Sequence, residues 1–284
     1  MMGMDRPISA LALALLINIS TIGAFVVSPS KLAFSPGVAT RTASLSSSLD
    51  MAAEKTYKKV FVAGGSRGVG RHIVDKLIAK GSEVVALVRK EDALQELNAL
   101  EGVTAIKGDA FDYKTVEGAM DGCDAAITTL GQGNVPQGEK RVDYEGNSNV
   151  IEAAGILGVT RLILVTSIGC GSSKEAAPPS VFEVLKDTLA AKERAENLLI
   201  KYYTNMNWTI IRPGGLKSEH ATGNAVLTED SMAIGTINRE DLANLAVRAL
   251  GSAATERKIL SAIDPTITSA VNSEGREVEE FVLA

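Results

Sequence analysis

The chain has few of the side chains that build covalent or metal-bound centres: two cysteines and two histidines in 284 residues. Cys123 and Cys170 cannot make a disulfide framework. With only His72 and His220 beside them they are too few for a zinc site, so no metal is expected. Aromatic residues are 4% of the chain, and the single tryptophan, Trp208 in "MNWTII", reads as core or rim packing rather than a stacking platform. The net charge of −5 gives little support to a nucleic-acid-binding surface. The apolar content is 45%, which suits one ordinary domain with a sizeable core.

The first fifty residues differ from the rest. "ISALALALLINISTIGAFVV" carries no charge, and Arg6 precedes it. Its length fits a signal-peptide core or one membrane span. The following "SPSKLAFSPGVATRTASLSSSLD" is rich in Ser and Thr and has no acid before Asp50, as in a transit peptide. The two together resemble a two-part plastid address, with "GAF" at residues 23–25 as a first cleavage point. A secreted or membrane-anchored protein with a disordered linker is the other reading. Residues 1–50 hold three cations and two acids, so the remaining chain carries −6. No membrane contact is expected of that mature part.

From Lys58 onward, short β-branched runs alternate with helical patterns. "KVFVA", "EVVALVR", "VTAIKGD", "CDAAITTLG", "RLILVTS" and "NWTIIR" read as strands, with "KILSAI" a short last one. Helical stretches separate them. Continuous apolar strands with intervening helices predict a parallel sheet covered on both faces, joined by right-handed crossovers. The expected fold is therefore α/β, a doubly wound Rossmann sheet in a single domain over residues 57–262. Residues 213–238 would form a small cap, and 263–284 a short, loose acidic tail.

The densest signal is "VFVAGGSRGVGRHIVDKL", residues 60–77. Gly64, Gly68 and Gly70 have the spacing G-x-x-x-G-x-G between the first strand and a helix starting near Gly68. Glycines there allow a tight turn and close helix packing, leaving main-chain N–H groups to face a pyrophosphate. A glycine pattern alone is weak, but its place after a strand and before a helix is what a dinucleotide site requires. Gly64, Gly65, Ser66, Arg67, Gly68, Val69 and Gly70 are the candidate phosphate loop. Where NAD binders carry an acid, this chain has Arg89 and Lys90, with Arg67 in the loop itself. These cations could pair with the 2′-phosphate of NADP; Glu91 and Asp92 keep NAD open. Asp109 and Ala110, in "GDA", end the third strand, where an Asp can meet the adenine amino group or merely cap a turn.

These residues resemble the short-chain dehydrogenase/reductase superfamily over about residues 57–262. "AGGSRGVG" matches its turn, with Ala63 where Thr is usual. "TTLG", with Thr129, Leu130 and Gly131, falls where the fourth strand approaches the cofactor. "VDYEGNSNVIEAA" resembles the next helix, with Asn149 at a shared position. "VTSIG" places Ser167 at the family's catalytic serine. "IRPGGL", with Pro213, Gly214, Gly215 and Leu216, resembles the loop beside the nicotinamide.

The resemblance fails at the Y-x-x-x-K pair. Lys192 fits, but four residues earlier stands Thr188, whose hydroxyl is a far weaker acid than a phenol. Tyr202 and Tyr203 lie almost three turns further on. "K-x-x-A-E", Lys192 to Glu196, with "IRPGGL" is similar to the atypical, NmrA-like branch. That branch includes flavin and biliverdin reductase-like enzymes, Tic62-related plastid proteins and redox-sensing regulators, several without the tyrosine. The resemblance implies Lys192 on the cofactor ribose; the plain alternative is a surface pair with Glu196. It also implies one of two functions. One is a reductase passing hydride to a flavin-, quinone- or tetrapyrrole-like small-molecule acceptor. The other is an NADP(H)-binding sensor or scaffold with a protein partner. His220, alone in the cap, reads as solvated or as a proton carrier. Cys170 reads as buried or as redox-sensitive.

Overall fold

The structure, a computed structural model, describes residues 55–132 and 140–283. The expected presequence lies outside the described residues. The strands are β1 (Lys59–Ala63), β2 (Glu83–Val88), β3 (Val103–Lys107), β4 (Ala125–Thr128), β5 (Arg161–Val165), β6 (Asn207–Pro213), β7 (Gly215–Lys217), β8 (Val226–Thr228), β9 (Thr236–Asn238) and β10 (Lys258–Ile263). The helices are α1 (Gly68–Ala79), α2 (Glu91–Asn98), α3 (Tyr113–Met120), α4 (Asn147–Ile156), α5 (Pro179–Tyr202) and α6 (Arg239–Gly251).

The main sheet has the order β3-β2-β1-β4-β5-β6-β10-β8. All neighbours pair in parallel except β8, which runs antiparallel to β10 at the edge. The direction of winding reverses between β1 and β4, which opens a crevice at their carboxyl ends. Every residue of β4 and β5 is buried, as strands covered on both faces must be. Val69, Ile73, Val74 and Leu77 recur at helical spacing and turn α1 onto one face, where α6 also packs. α3, α4 and α5 cover the other, with Trp208 in that core.

Three local features matter for the site. The expected helix over "DYEGNSNV" opens as a π-turn, Val142–Gly146, before α4 begins. The cap contributes β8 to the main sheet, while β7 and β9 form a small parallel ribbon. The tail is fastened rather than loose: Phe281 N–H donates to Leu227 O at 2.7 Å, and Phe281 and Leu283 pack on the core.

Among the described residues, the buried cation Arg161 is paired with no carboxylate. Its guanidinium donates to the carbonyls of Leu250, Ala249 and Asn207 at 3.1, 2.6 and 2.7 Å, and to Thr255 Oγ1 at 2.7 Å. Two of these carbonyls end α6, where the negative end of the helix dipole favours a cation. Burial nevertheless pulls its pKa down to about 10.

Candidate functional site

The glycine turn has the conformation its spacing predicts. Gly64 has φ +87°, a region L side chains rarely adopt. A Cβ on Gly70 would lie 2.2 Å from Gly64 O and 2.8 Å from Thr129 Oγ1. Only glycine lets the start of α1 settle onto the turn so closely. Thr129, at the end of β4, supports this from beneath: its N–H and Oγ1 both donate to Ala63 O, at 3.0 and 3.2 Å. α1 begins with no side-chain cap and no acid in its first turn, so its leading N–H groups face the crevice.

The crevice is one continuous cavity of about 760 Å³. Its walls include Gly64, Ser66, Arg67, Gly68, Val69 and Gly70 from the turn, Arg89 from the end of β2, and Asp109 and Ala110 from the end of β3. Thr129, Leu130 and Gly131 follow, then Ser167, Lys192, Pro213, Gly214 and Leu216 at the far end. Three expected residues lie off this wall. Gly65 is turned inward, with the Val74 side chain 3.1 Å from where its Cβ would be. Lys90 is exposed at the start of α2, and Gly215 faces Thr236 in the small ribbon. Asp109 is exposed, and its Oδ1 accepts from Phe111 N–H at 3.0 Å, so it closes its own turn while lining the cavity. The acids that kept NAD open are elsewhere: Glu91 pairs with Lys107 at 2.7 Å, and neither Glu91 nor Asp92 lines the cavity.

At the far end the structure corrects the surface-pair reading of Lys192. Its side chain is nearly buried; Nζ donates to Leu130 O at 3.1 Å and lies 3.4 Å from Asp143 Oδ1. Glu196 turns the other way, under the sheet ends, and is forked onto Arg212 at 3.0 and 2.7 Å while accepting from Thr166 Oγ1 at 2.6 Å. Lys192 and Glu196 are four apart on one helix yet serve different neighbours, because each has a buried partner of opposite charge. The sequence reading missed Asp143. It is fully buried on the π-turn and accepts from Gln132 N–H at 3.2 Å, with Arg141 Nη2 at 3.7 Å. Nothing in "VDYEGN" marked it, because the π-turn that carries Asp143 inward stands where the sequence reads as ordinary helix.

Thr188, in the position of the superfamily tyrosine, is buried and lines the cavity; its Oγ1 accepts from Arg141 Nη2 at 2.6 Å. None of the five tyrosines lines the cavity. Ser167 Oγ donates to Ile168 O at 2.9 Å and is half-buried. His220 is exposed and away from the wall. Cys170 is fully buried, and burial pushes its thiol up to about 12; Cys123 is pushed up to about 11 for the same reason. Neither is a thiolate near neutral pH. Among the described residues no cluster of His, Cys, Asp or Glu could hold a metal ion, and no helix is long and apolar enough to cross a membrane.

Comparison with known proteins agrees with this geometry. Residues 64–253 match a family described as NAD(P)H-binding. The chain is 30% identical to a Bacillus subtilis protein named as an uncharacterized sugar epimerase, YhfK, over 70% of this chain and 91% of that one. It is 33% identical to the chloroplastic protein At2g34460 of Arabidopsis thaliana, over 68% and 72%. Among solved structures, the anaerobilin reductase ChuY of Escherichia coli O157:H7 matches with a TM-score of 0.67 and 28% identity, covering 75% of this chain and all of that one. The chain belongs to the NAD(P)H-binding Rossmann-fold family, in the atypical, NmrA-like branch of the short-chain dehydrogenases/reductases.

Proposed function

We propose that the protein is an NADPH-dependent reductase that delivers hydride to a flat conjugated acceptor of flavin, quinone or tetrapyrrole type, without a proton-donating tyrosine. One observation carries the reading. The cavity runs unbroken from the glycine turn to Ser167 and Lys192, yet the residue in the tyrosine position is a threonine already accepting a hydrogen bond from Arg141. An acceptor of this kind needs hydride placed against it more than it needs an acid, so proximity and orientation do most of the work.

The residues present fit the cofactor. The turn packs too closely for a Cβ at Gly70 and leaves main-chain N–H groups for a diphosphate. Arg89 and Arg67 would meet the 2′-phosphate, and neither Glu91 nor Asp92 lines the wall beside them. This selects NADP over NAD, with Asp109 beside the adenine. Lys192 would donate to the nicotinamide ribose, held at that height by Asp143. Ser167 would turn its hydroxyl from Ile168 O to the acceptor. The bound nicotinamide supplies the hydride, and the accompanying proton would come from water at the mouth. That ChuY is described as an anaerobilin reductase favours an acceptor of that class.

The missing acid also favours a second reading, a sensor or scaffold that binds NADP(H) without turnover and engages a partner according to its redox state. Residues 1–50 would direct the chain to a plastid, in keeping with the chloroplastic relative, and residues 57–262 would be the working domain. The discriminating measurement is stopped-flow NADPH oxidation by the protein lacking residues 1–50 against flavins, quinones and bilins. The reductase predicts turnover with at least one acceptor, reduced by Lys192→Met. NADPH binding without turnover across the panel would leave the sensor.

A further inference from the structure

Arg239 stands at the first position of α6, far in sequence from every residue assigned above. It nevertheless lines the same cavity as the glycine turn. Its Cδ and Nε lie 3.6 and 3.7 Å from where a Cβ on Gly68 would be, so the stem of the side chain crosses directly over that glycine. Gly68 has φ +56° and is the first residue of α1, the point at which the N–H groups of that helix are unpartnered.

Two contacts fix the height of the guanidinium. Nη1 donates to Ser218 Oγ at 2.6 Å and to Leu216 O at 3.4 Å, both on the segment that follows β6. Neighbouring acids on α6 are turned elsewhere. Glu240 pairs with Lys76 of α1 at 3.1 Å, tying the two helices together. Asp241 is buried and accepts from Thr222 and Gly223 N–H at 2.8 and 3.0 Å. Among the described residues Arg239 has no carboxylate partner, and its Nε and Nη2 donate to nothing. A guanidinium with free donors, placed over a helix start that itself favours anions, is suited to a bridging diphosphate.

We propose that Arg239 is a cofactor-binding residue. Its fork closes over the nucleotide diphosphate from the side opposite the main-chain amides, and its Nη1 contacts join that closure to the 216–218 segment beside the nicotinamide end. The inference rests on the nucleotide-binding reading above. It assigns to Arg239 a role distinct from that of Arg89, which would read the 2′-phosphate alone.

The test is calorimetric titration of the protein lacking residues 1–50 with NADPH and with NADH, using wild type, Arg239→Met, Arg239→Lys and Arg89→Met. Loss of a charge-assisted fork predicts that Arg239→Met binds both nucleotides about 10- to 100-fold more weakly, leaving their ratio unchanged. Arg239→Lys, which keeps the charge over Gly68 and the fold, still loses several-fold on both; Arg89→Met changes the ratio. Wild-type affinity in Arg239→Met for both nucleotides overturns the proposal. So does a loss confined to NADPH, or an Arg239→Lys indistinguishable from wild type. A wild-type protein that binds neither nucleotide overturns the nucleotide-binding reading itself, a separate and distinguishable failure.

Discussion

At the scale of single residues, two glycines separate structural need from composition. Gly70→Ala would place a methyl 2.2 Å from the backbone oxygen of Gly64 and 2.7 Å from its carbonyl carbon. Backbone cannot swing aside as a side chain does, so the turn must open. The expected cost is about 2–4 kcal/mol of stability with loss of nucleotide affinity. Gly118, exposed in α3, has nothing within 4 Å of a Cβ. Gly118→Ala should stabilise by about 0.5–1 kcal/mol, since it removes backbone freedom from the unfolded chain and meets no clash. Urea denaturation of both variants checks the pair, and equal effects would contradict the packing described. The turn was legible because its meaning lies in local spacing. Asp143, Arg212 and Arg239 were not, because each acts through a neighbour at least 16 residues away, at Glu196 for Arg212 and across the fold at Gly68 for Arg239.

At the scale of elements, the segment between β7 and β8, whose first residue Ser218 lines the cavity, is fastened by carboxylates. Thr222 donates from its N–H to Asp241, and its hydroxyl donates to Asp264, which also accepts from Thr266 N–H and Oγ1 at 2.9 and 2.6 Å. Burial pushes the Asp264 carboxyl up, but the hydrogen bonds from Thr222 and Thr266 outweigh it and hold it below its ordinary 3.8. A depressed folded-state pKa contributes stability that is present above the ordinary value and lost as pH falls through the folded one. Asp264→Asn should therefore cost about 1–2 kcal/mol near pH 7, and the gap to wild type should narrow below about pH 4. Urea midpoints across that range are the check; a gap that widens on acidification would reverse the sign argued here. The strands and most helices could be read from apolar runs and 3.6-residue spacing. The cap could not, because three-residue strands carry too little pattern and β8 is recruited to an edge by β10 rather than by its own sequence.

At the scale of the molecule, the site belongs to no single element. Its wall draws on the ends of β1, β2, β4, β5 and β6, on α1 and α5, and on the first residue of α6. The two faces of the sheet have separate apolar cores, so a nucleotide lying across the strand ends touches structure that depends on both. A ligand bound only to such an assembled wall has no counterpart in the unfolded chain, and mass action then stabilises the whole. At a free NADPH concentration a hundred times Kd the gain is about 2.7 kcal/mol. For a domain of this size that corresponds to a rise of about 5–10 °C in Tm. The transition should stay single, because helices from both faces contribute to the wall. Differential scanning calorimetry of the protein lacking residues 1–50, with and without NADPH, reads both quantities. A shift confined to one of two resolved transitions would mean that the cores unfold independently and that the nucleotide sits on only one of them. An unmoved Tm at saturating NADPH would remove the nucleotide from the cavity altogether.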